Sequence, residues 1–148
     1  MGYLPQDIEL FNGTVAQNIC RFGEVDSDQC IEAATAVGIH DTILKFSDGY
    51  ETQIGEAGAN LSGGQRQLIG LARAIYGNPV LVVLDEPDAS LDESGERALI
   101  GVVQKLKASG STVILITHQP KLLQAVDRVM LIQDGQIHNV NMKKKEPA

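Results

Sequence analysis

The chain has 148 residues, of which 43% are hydrophobic, enough to bury the core of one domain. Its formal net charge of −7 excludes the broad basic surface that non-specific binding to nucleic acids or anionic membranes requires. The longest apolar runs, at residues 80–84 and 113–116, are far shorter than the roughly 20 residues of a membrane-spanning helix. Cys20 and Cys30 lack metal-ligand spacing and fall in helical patterns, which indicates reduced structural thiols.

The first half of the chain, to about residue 76, has the periodicity of helices. The apolar spacing predicts four helices. The first covers residues 14–21, the third residues 39–46 and the fourth residues 62–76. The second begins at a cap at Ser27 or Asp28 and ends at Gly38. In the second of these helices, Ile31, Ala34 and Val37 recur at helical spacing, so we expect them to share one apolar face.

The second half alternates strands and helices. The pattern predicts a strand over residues 80–84, then a helix that Asp92 caps and Gly110 ends, and then a strand over residues 112–117. A short helix over residues 121–125 follows. Two further strands, over residues 128–132 and 136–140, are joined by a hairpin turn at Asp134-Gly135. The short connections predict a parallel α/β sheet. Its first two strands lack polar alternation, so we expect both to be buried on both faces.

Candidate chemistry lies where two of these strands end. Asp85 and Glu86 follow the first strand, and His118 follows the second. Because ligands bind beyond the carboxyl ends of parallel strands, these side chains should face a cleft. Two adjacent carboxylates repel each other there unless a cation is bound. The Walker B arrangement provides one: its aspartate holds Mg²⁺ beside the phosphates, and the next residue orients or deprotonates a water. The alternative is one carboxylate that caps a loop beside one that is solvated.

Paired glycines open the helix predicted over residues 62–76. Ser62 is a good N-cap residue, and Gly63 and Gly64 leave the first-turn N–H groups open to close approach by an anion. The positive end of the helix macrodipole favours the same negative charge. The pattern therefore predicts either a capped helix alone or a phosphate-binding helix N-terminus.

Together these motifs resemble the nucleotide-binding domain of ABC transporters. The matching segments, in the family's order, are a Q-loop segment at residues 2–15, the signature Leu61-Ser62-Gly63-Gly64-Gln65, the Walker B strand at residues 80–87, the D-loop Ser90-Leu91-Asp92 and the switch-histidine loop Thr117-His118. Within the family, the chain is most similar to the ATPase subunits of bacterial type I secretion systems.

The resemblance implies an α/β fold: a partial P-loop NTPase (RecA-like) parallel sheet core with the ABC α-helical subdomain. The implied parts are a Q-loop segment at residues 1–12, a helical subdomain at 13–78, a RecA-like core portion at 79–142 and a charged tail at 143–148. We expect the N-terminal strands and the phosphate-binding loop G-x-x-x-x-G-K-[ST] to be missing, because the sequence has no Gly-Lys dipeptide. The strand before Asp85 should then lack neighbours, leaving the isolated chain marginally stable and prone to aggregation.

The implied function is that of a C-terminal fragment of an ATP-binding, ATP-hydrolysing subunit that powers export across a bacterial membrane, inactive by itself without the phosphate loop. Two alternatives stay open: a non-catalytic remnant or partner module, and a soluble ABC ATPase outside transport. The implied cofactors are ATP and Mg²⁺. The implied partners are a second nucleotide-binding domain in a head-to-tail dimer, an exporter's transmembrane domain, a periplasmic adaptor and an outer-membrane channel, with no nucleic acid. The implied location is the cytoplasmic face of the inner membrane.

The resemblance also implies residue roles. Glu86 would be the general base, with His118 and Gln6 as further catalytic residues, and Asp85 and Gln6 would coordinate Mg²⁺. The residues that would contact ATP on the opposite subunit are Leu61, Ser62, Gly63, Gly64 and Gln65. A dimer contact is implied for Ser90, Leu91 and Asp92, and coupling to the membrane domain for Leu10, Phe11 and Glu56. Three residues depart from the family pattern. Asp88 replaces a small polar residue, Ala57 replaces an arginine, and Gly70 interrupts the signature helix at a cost of up to about 1 kcal/mol in an exposed site.

Overall fold

The computed structural model describes residues 1–140, which form two compact units, Met1–His118 and the described part of Gln119–Ala148. The charged tail expected at residues 143–148, and the end of the core portion expected at 79–142, lie outside the described residues. Within residues 1–140, none of the helices combines the length and the apolar character that crossing a membrane requires.

The first unit consists of a short strand, a run of helices and a strand–helix–strand segment. Its strands are β1 (Gly2–Leu4), β2 (Leu81–Asp85) and β3 (Thr112–Ile116). Its helices are α1 (Val15–Ile19), α2 (Ser27–Ala36), α3 (His40–Ile43), α4 (Gly63–Ile75) and α5 (Glu93–Ala108), with 3₁₀ helices at Gly49–Glu51 and Glu56–Gly58. The helices predicted in the first half are therefore present, although α3 is shorter than residues 39–46.

The three strands of the first unit form one parallel sheet in the order β1-β2-β3. β2 is the central strand, with Leu84 opposite Leu4 on β1 and opposite Leu115 on β3. This confirms the predicted parallel α/β sheet. The expectation that the strand before Asp85 lacks neighbours is wrong, because β1, which no pattern predicted, pairs with one side of it and β3 with the other.

The two faces of this sheet differ in what covers them. On one face, Leu4 and Leu84 are fully buried where α4 contacts β1 and β2. The other face carries Tyr3, Ile114 and Ile116, which are 50%, 49% and 48% exposed. We call these the covered face (Leu4, Val82, Leu84, Val113, Leu115) and the open face (Tyr3, Val83, Ile114, Ile116). The prediction that β3 is buried on both faces is therefore wrong, because the helices pack against only one of them.

Capping hydrogen bonds set the ends of α2. Asp26, rather than the predicted Ser27 or Asp28, is the N-cap, because its carboxylate accepts a hydrogen bond from the Gln29 N–H at 3.0 Å. Beyond the C-terminus, Gly38 adopts a φ of +79°, as expected of a residue that ends a helix in the left-handed conformation. The predicted terminator is confirmed, and the predicted start is off by one or two residues.

The buried face of α2 consists of Cys30, Ala33 and Ala34. Ile31 is 39% exposed, so its predicted place on the apolar face is wrong: consecutive residues are about 100° apart around a helix, and the packed stripe is centred on Cys30 and Ala34. Cys20 and Cys30 are both buried and free, as predicted. Burial, together with the neighbouring Cys20 thiol, raises the pKa of the Cys30 thiol to about 12.

The two long helices begin where the sequence predicts. α4 packs against β1 through Gly70, where an added Cβ would lie 3.0 Å from both Leu4 Cδ1 and Ile8 Cγ2. Gly70 is therefore buried and allows close packing, so the cost expected of an exposed helix glycine does not apply. Asp92 caps α5 by accepting a hydrogen bond from the Gly95 N–H at 2.8 Å, and Gly110 follows the helix with a φ of +86°.

The second unit contains a 3₁₀ helix (Leu122–Ala125) and a hairpin of β4 (Val129–Gln133) and β5 (Gln136–Val140). The strands pair antiparallel, and Asp134 and Gly135 connect them with φ values of +50° and +74°, as a tight hairpin turn requires. The predicted hairpin is confirmed. Within residues 1–140, however, β4 belongs to this two-stranded sheet and not to the parallel sheet, because it pairs with its neighbour in sequence.

Candidate functional site

The candidate site begins where β2 ends. Asp85 is the last residue of the strand, and Glu86 follows it with a φ of +46°, in the left-handed region that non-glycine residues seldom adopt. The Glu86 N–H donates to the Ile116 carbonyl at 2.9 Å, so the strained residue is held by the end of β3. Strained backbone of this kind persists where the surrounding structure fixes it, commonly at functional sites.

The Glu86 carboxylate lies between two polar side chains. Gln6 Nε2 donates to one carboxylate oxygen at 2.9 Å, and His118 Nε2 is 3.4 Å from the other. Gln6 follows β1 and His118 follows β3, so the side chains meet because the three parallel strands end at one edge of the sheet. The Glu86 side chain is 29% exposed and His118 is 90% exposed, so the cluster is open to solvent and to a ligand.

Two further acidic residues share this edge. Asp85 is partly buried at the end of β2, where its register partner on β3 is Ile116. Asp88 accepts a hydrogen bond from the Thr117 hydroxyl at 3.0 Å, so the acid that departs from the family pattern is bonded to the loop that carries His118. Within residues 1–140, no three His, Cys, Asp or Glu side chains are grouped to hold a metal by themselves.

The donor set at this edge still suits one kind of ion. Mg²⁺ prefers oxygen ligands and is usually bound by one or two carboxylates together with waters and the phosphates of a substrate. The Asp85 carboxylate and the Gln6 amide oxygen are donors of that chemistry. The residues present therefore fit Mg²⁺ in company with a phosphate ligand and do not form a complete protein cage.

The N-terminus of α4 presents an ordered but open first turn. Ser62 and Gln65 form a capping box: the Gln65 N–H donates to Ser62 Oγ at 3.2 Å, and the Ser62 N–H donates to Gln65 Oε1 at 2.9 Å. Ser62 and Gly63 are exposed, whereas Leu61 is 7% exposed. The Leu61 side chain therefore belongs to the core, whereas Ser62 and Gly63 are open to solvent.

The same helix is bonded to the loop that follows Glu86. Gln67 is 3% exposed, and its Nε2 donates to the Pro87 carbonyl at 2.8 Å and lies 3.5 Å from the Glu86 carbonyl. One turn earlier, an added Cβ on Gly64 would lie 3.2 Å from the Ser90 carbonyl oxygen. Sequence reasoning overlooked Gln67. A signal was present, because Gln67 is a polar residue four positions before the buried Leu71, on the apolar side of the helix.

The D-loop residues Ser90, Leu91 and Asp92 lie between this loop and α5. The Asp92 carboxylate caps α5, and its backbone hydrogen bond from Gly95 lowers the pKa of Asp92. A cavity of about 370 Å³ lies behind the first turn of α4, with Ser90, Leu91, Asp92 and Gln65 among its lining residues. The signature helix and the D-loop of one chain are therefore neighbours.

Residues expected to contact a membrane domain occupy different environments. Leu10 is 3% exposed, so its side chain is part of the core, and its contact with a membrane domain stays a prediction. Phe11 is 57% exposed and packs edge-to-face on Phe22 with ring centroids 5.9 Å apart, and the Arg73 guanidinium lies 5.7 Å from its ring centroid. Glu56 is exposed at the start of the 3₁₀ helix Glu56–Gly58.

A parallel sheet with acidic residues at its carboxyl edge, beside a helix opened by glycines, is the architecture of a nucleotide-binding α/β domain. A family model described as "ABC transporter" matches residues 1–89. The chain belongs to the ABC transporter family. The family inferred from the ordered motifs is thereby confirmed.

Curated relatives agree with this assignment. The chain is 47% identical over 146 residues to the type I secretion system ATP-binding protein PrsD of Rhizobium meliloti (strain 1021), an alignment that covers 98% of this chain and 25% of the relative. It is 42% identical over 137 residues to ATP-binding cassette sub-family B member 6 of Homo sapiens, covering 91% of this chain and 16% of the relative. The chain thus spans a quarter or less of the length of these relatives.

A solved structure supports the fold. The structure of a bacterial Atm1-family ABC exporter with ATP bound is similar with a TM-score of 0.82 and 32% identity, over 90% of this chain and 23% of that chain. The mixed α/β architecture is therefore that of part of an ABC exporter.

Proposed function

We propose that the chain forms part of the ATP-hydrolysing domain of an ABC exporter, and that its carboxyl-edge cluster handles the attacking water. The observation that supports this most strongly is the position of the Glu86 carboxylate, 2.9 Å from Gln6 and 3.4 Å from His118. A carboxylate with one amide donor and one imidazole beside it can accept a proton from a water while the neighbours orient that water.

The proposed roles follow from where each side chain lies. Asp85 and Gln6 would hold Mg²⁺, which when bound offsets the negative charge of the phosphates. Glu86 accepts the proton of the attacking water. His118, exposed at the end of β3, donates toward the terminal phosphate.

The first turn of α4 is proposed to bind ATP held by a second subunit. The exposed Gly63 and the positive helix end suit a phosphate, and the Gln65 and Ser62 side chains are engaged in the capping box. The exposed D-loop residues Ser90 and Asp92 lie beside this turn and are proposed to meet the same partner. Head-to-tail pairing of two nucleotide-binding domains satisfies both contacts.

Coupling to a transmembrane domain is proposed for Phe11 and Glu56. Both are exposed, and Phe11 adds a large apolar ring beside Phe22. The 47% identity to a type I secretion ATP-binding protein supports protein export across a bacterial inner membrane, with the chain at its cytoplasmic face and with a periplasmic adaptor and an outer-membrane channel as further partners.

By itself, the chain is proposed to be inactive. Its 148 residues hold no Gly-Lys dipeptide and hence no phosphate-binding loop, on which positioning of the phosphates depends. We expect the purified chain to show no ATPase activity above that of its Glu86→Gln variant. Turnover that depends on Glu86 would contradict this proposal.

A chimera tests the chemistry directly. We suggest replacing the aligned segment of the Rhizobium meliloti relative with this chain and measuring ATP hydrolysis. Glu86→Gln should lower kcat by about 100-fold or more, the range of a lost general base. Glu93→Gln is the matched control, because Glu93 is an exposed carboxylate of α5 that pairs only with Arg97 in the described contacts. A folded, ATP-binding chimera whose turnover survives Glu86→Gln would overturn the proposal, and so would one with no turnover at all.

A further inference from the structure

Buried polar side chains are few among the described residues, and one of them differs from the others. Thr14, Asn18 and Gln67 are each less than a tenth exposed. Thr14 and Asn18 form hydrogen bonds with residues three to seven positions away, which serve α1 and the turn before it. The hydrogen bonds of Gln67 reach 19 and 20 positions along the chain. Among these three buried side chains, Gln67 is therefore the one whose bonds join two distant segments.

The acceptors of Gln67 are the carbonyls of Glu86, which has a left-handed backbone conformation, and of Pro87, which follows it. Pro87 O accepts at 2.8 Å, and Glu86 O lies at 3.5 Å from Gln67 Nε2. Glu86 itself has the left-handed φ of +46°, which a β-strand continuing past Asp85 would not adopt. The bonds from Gln67 therefore fix the peptide that turns the Glu86 side chain out of the strand direction.

The turn from Glu86 to Ala89 uses one of these carbonyls, that of Glu86. The Ala89 N–H donates to Glu86 O at 3.2 Å, so Glu86 O is shared between that amide and Gln67. On the other side, the Glu86 N–H is bonded to Ile116 O at 2.9 Å. Hydrogen bonds therefore hold both the N–H and the carbonyl of Glu86, and Gln67 supplies one of those to the carbonyl.

We propose that Gln67 is a positioning residue: its buried amide holds the backbone of Glu86 and Pro87, and so keeps the Glu86 carboxylate between Gln6 and His118. The inference rests on the proposed role of Glu86 in handling water. Gln67 touches no reacting atom and acts only through the backbone carbonyls of Glu86 and Pro87. Because Gly64 packs on Ser90 from the same side of α4, the helix supports the whole loop from residue 86 to residue 91 at two points.

Hydrogen exchange by NMR on the full chain tests this. Gln67→Met keeps the length of the side chain but removes its donors. We expect the Glu86 and Ala89 amides to exchange about tenfold faster or more, since one buried hydrogen bond is lost. The Thr112 amide, bonded to Val80 O at 2.8 Å at the far end of the sheet, should change less than twofold. The ¹³C shift of the Glu86 carboxyl carbon should move with the loop.

Asn18→Leu is the matched control, because it removes another buried amide that is bonded only within its own region. It should leave the ratio of Glu86 to Thr112 exchange unchanged. If Gln67→Met accelerates Thr112 as much as Glu86 and Ala89, or leaves all three unchanged, Gln67 is not a positioning residue. Neither result bears on whether Glu86 is the general base, which the kcat of the Glu86→Gln chimera decides.

A measurement on the unsubstituted chain covers the case in which Gln67→Met does not fold. The side-chain amide protons of Gln67 should exchange at least about tenfold more slowly than those of Gln104, an exposed glutamine of α5. Equal rates for the two side chains would show that Gln67 is not held by the Glu86 and Pro87 carbonyls, and would overturn the proposal without any variant.

Discussion

The covered and open faces of the three-stranded sheet are built from the same strands, and both carry several large apolar side chains. Leu84 on the covered face is fully buried, whereas Ile114 on the neighbouring strand, facing the other way, is 49% exposed. The difference lies in packing, because Leu84 is buried where α4 contacts β1 and β2, whereas Ile114 and Ile116 stay about half exposed. Apolar composition along a strand therefore shows what a face could bury. The elements packed against it decide what the face does bury.

The sharpest test of this comparison exchanges one large side chain on each face for alanine. Leu84→Ala should lower the free energy of unfolding by about 2–5 kcal/mol, because it leaves a cavity among fully packed neighbours. Ile114→Ala should cost less than about 1 kcal/mol, because solvent already reaches that side chain. Urea unfolding of both variants gives the difference. Equal losses would show that the two faces are equivalent.

A second test concerns how closely α4 approaches the covered face. A Cβ on Gly2 would lie 1.8 Å from the Ala74 carbonyl oxygen, so Gly2→Ala forces β1 or the end of α4 to move. We expect a loss of about 1–3 kcal/mol in the free energy of unfolding, the usual cost of overpacking. Gly101→Ala is the control: Gly101 is exposed in α5 with no atom near its Cβ position, and alanine there should stabilise by up to about 1 kcal/mol.

The burial of Cys30 in the helical segment predicts that stability depends on pH, as it would not for an exposed thiol. Burial raises the pKa of the Cys30 thiol from 9.0 to about 12, so the folded state keeps a proton that the unfolded state releases. This contribution to stability is fully present below pH 9.0 and is lost as the pH rises toward about 12. Unfolding measured between pH 8 and 11 should show a steeper loss for the natural chain than for Cys30→Ala. Parallel curves would show that Cys30 does not titrate differently in the two states.

Features set by neighbouring residues were predictable from the sequence. Ser62, Asp92, Gly38 and Gly110 each act within one helical turn, and each lies where the pattern places it. The edge rule for parallel sheets brought Glu86 and His118 together in advance, because it depends only on the order of strands.

Features that depend on distant partners were not predictable in this way. A strand as short as β1 has too few residues to show a period, and its pairing with β2 spans 80 positions, from Gly2 to Val82. Gln6 was identified through the family resemblance and not through its own surroundings. The exposure of Ile31 and the bonding partners of Gln67 depend on which element each helix meets, and the local sequence does not specify those partners.

The smallest expected change in stability comes from the open face itself, and it separates stability from solubility. Ile114→Thr with Ile116→Thr keeps two β-branched side chains on an edge strand while removing exposed apolar surface. The free energy of unfolding should change by less than about 1 kcal/mol, whereas light scattering during storage or heating should fall, because an exposed apolar edge strand is a site for association. Leu115→Thr, on the covered face of the same strand, is the control and should destabilise the chain without improving solubility. If the double variant unfolds as readily as Leu115→Thr, the open face is packed as tightly as the covered one.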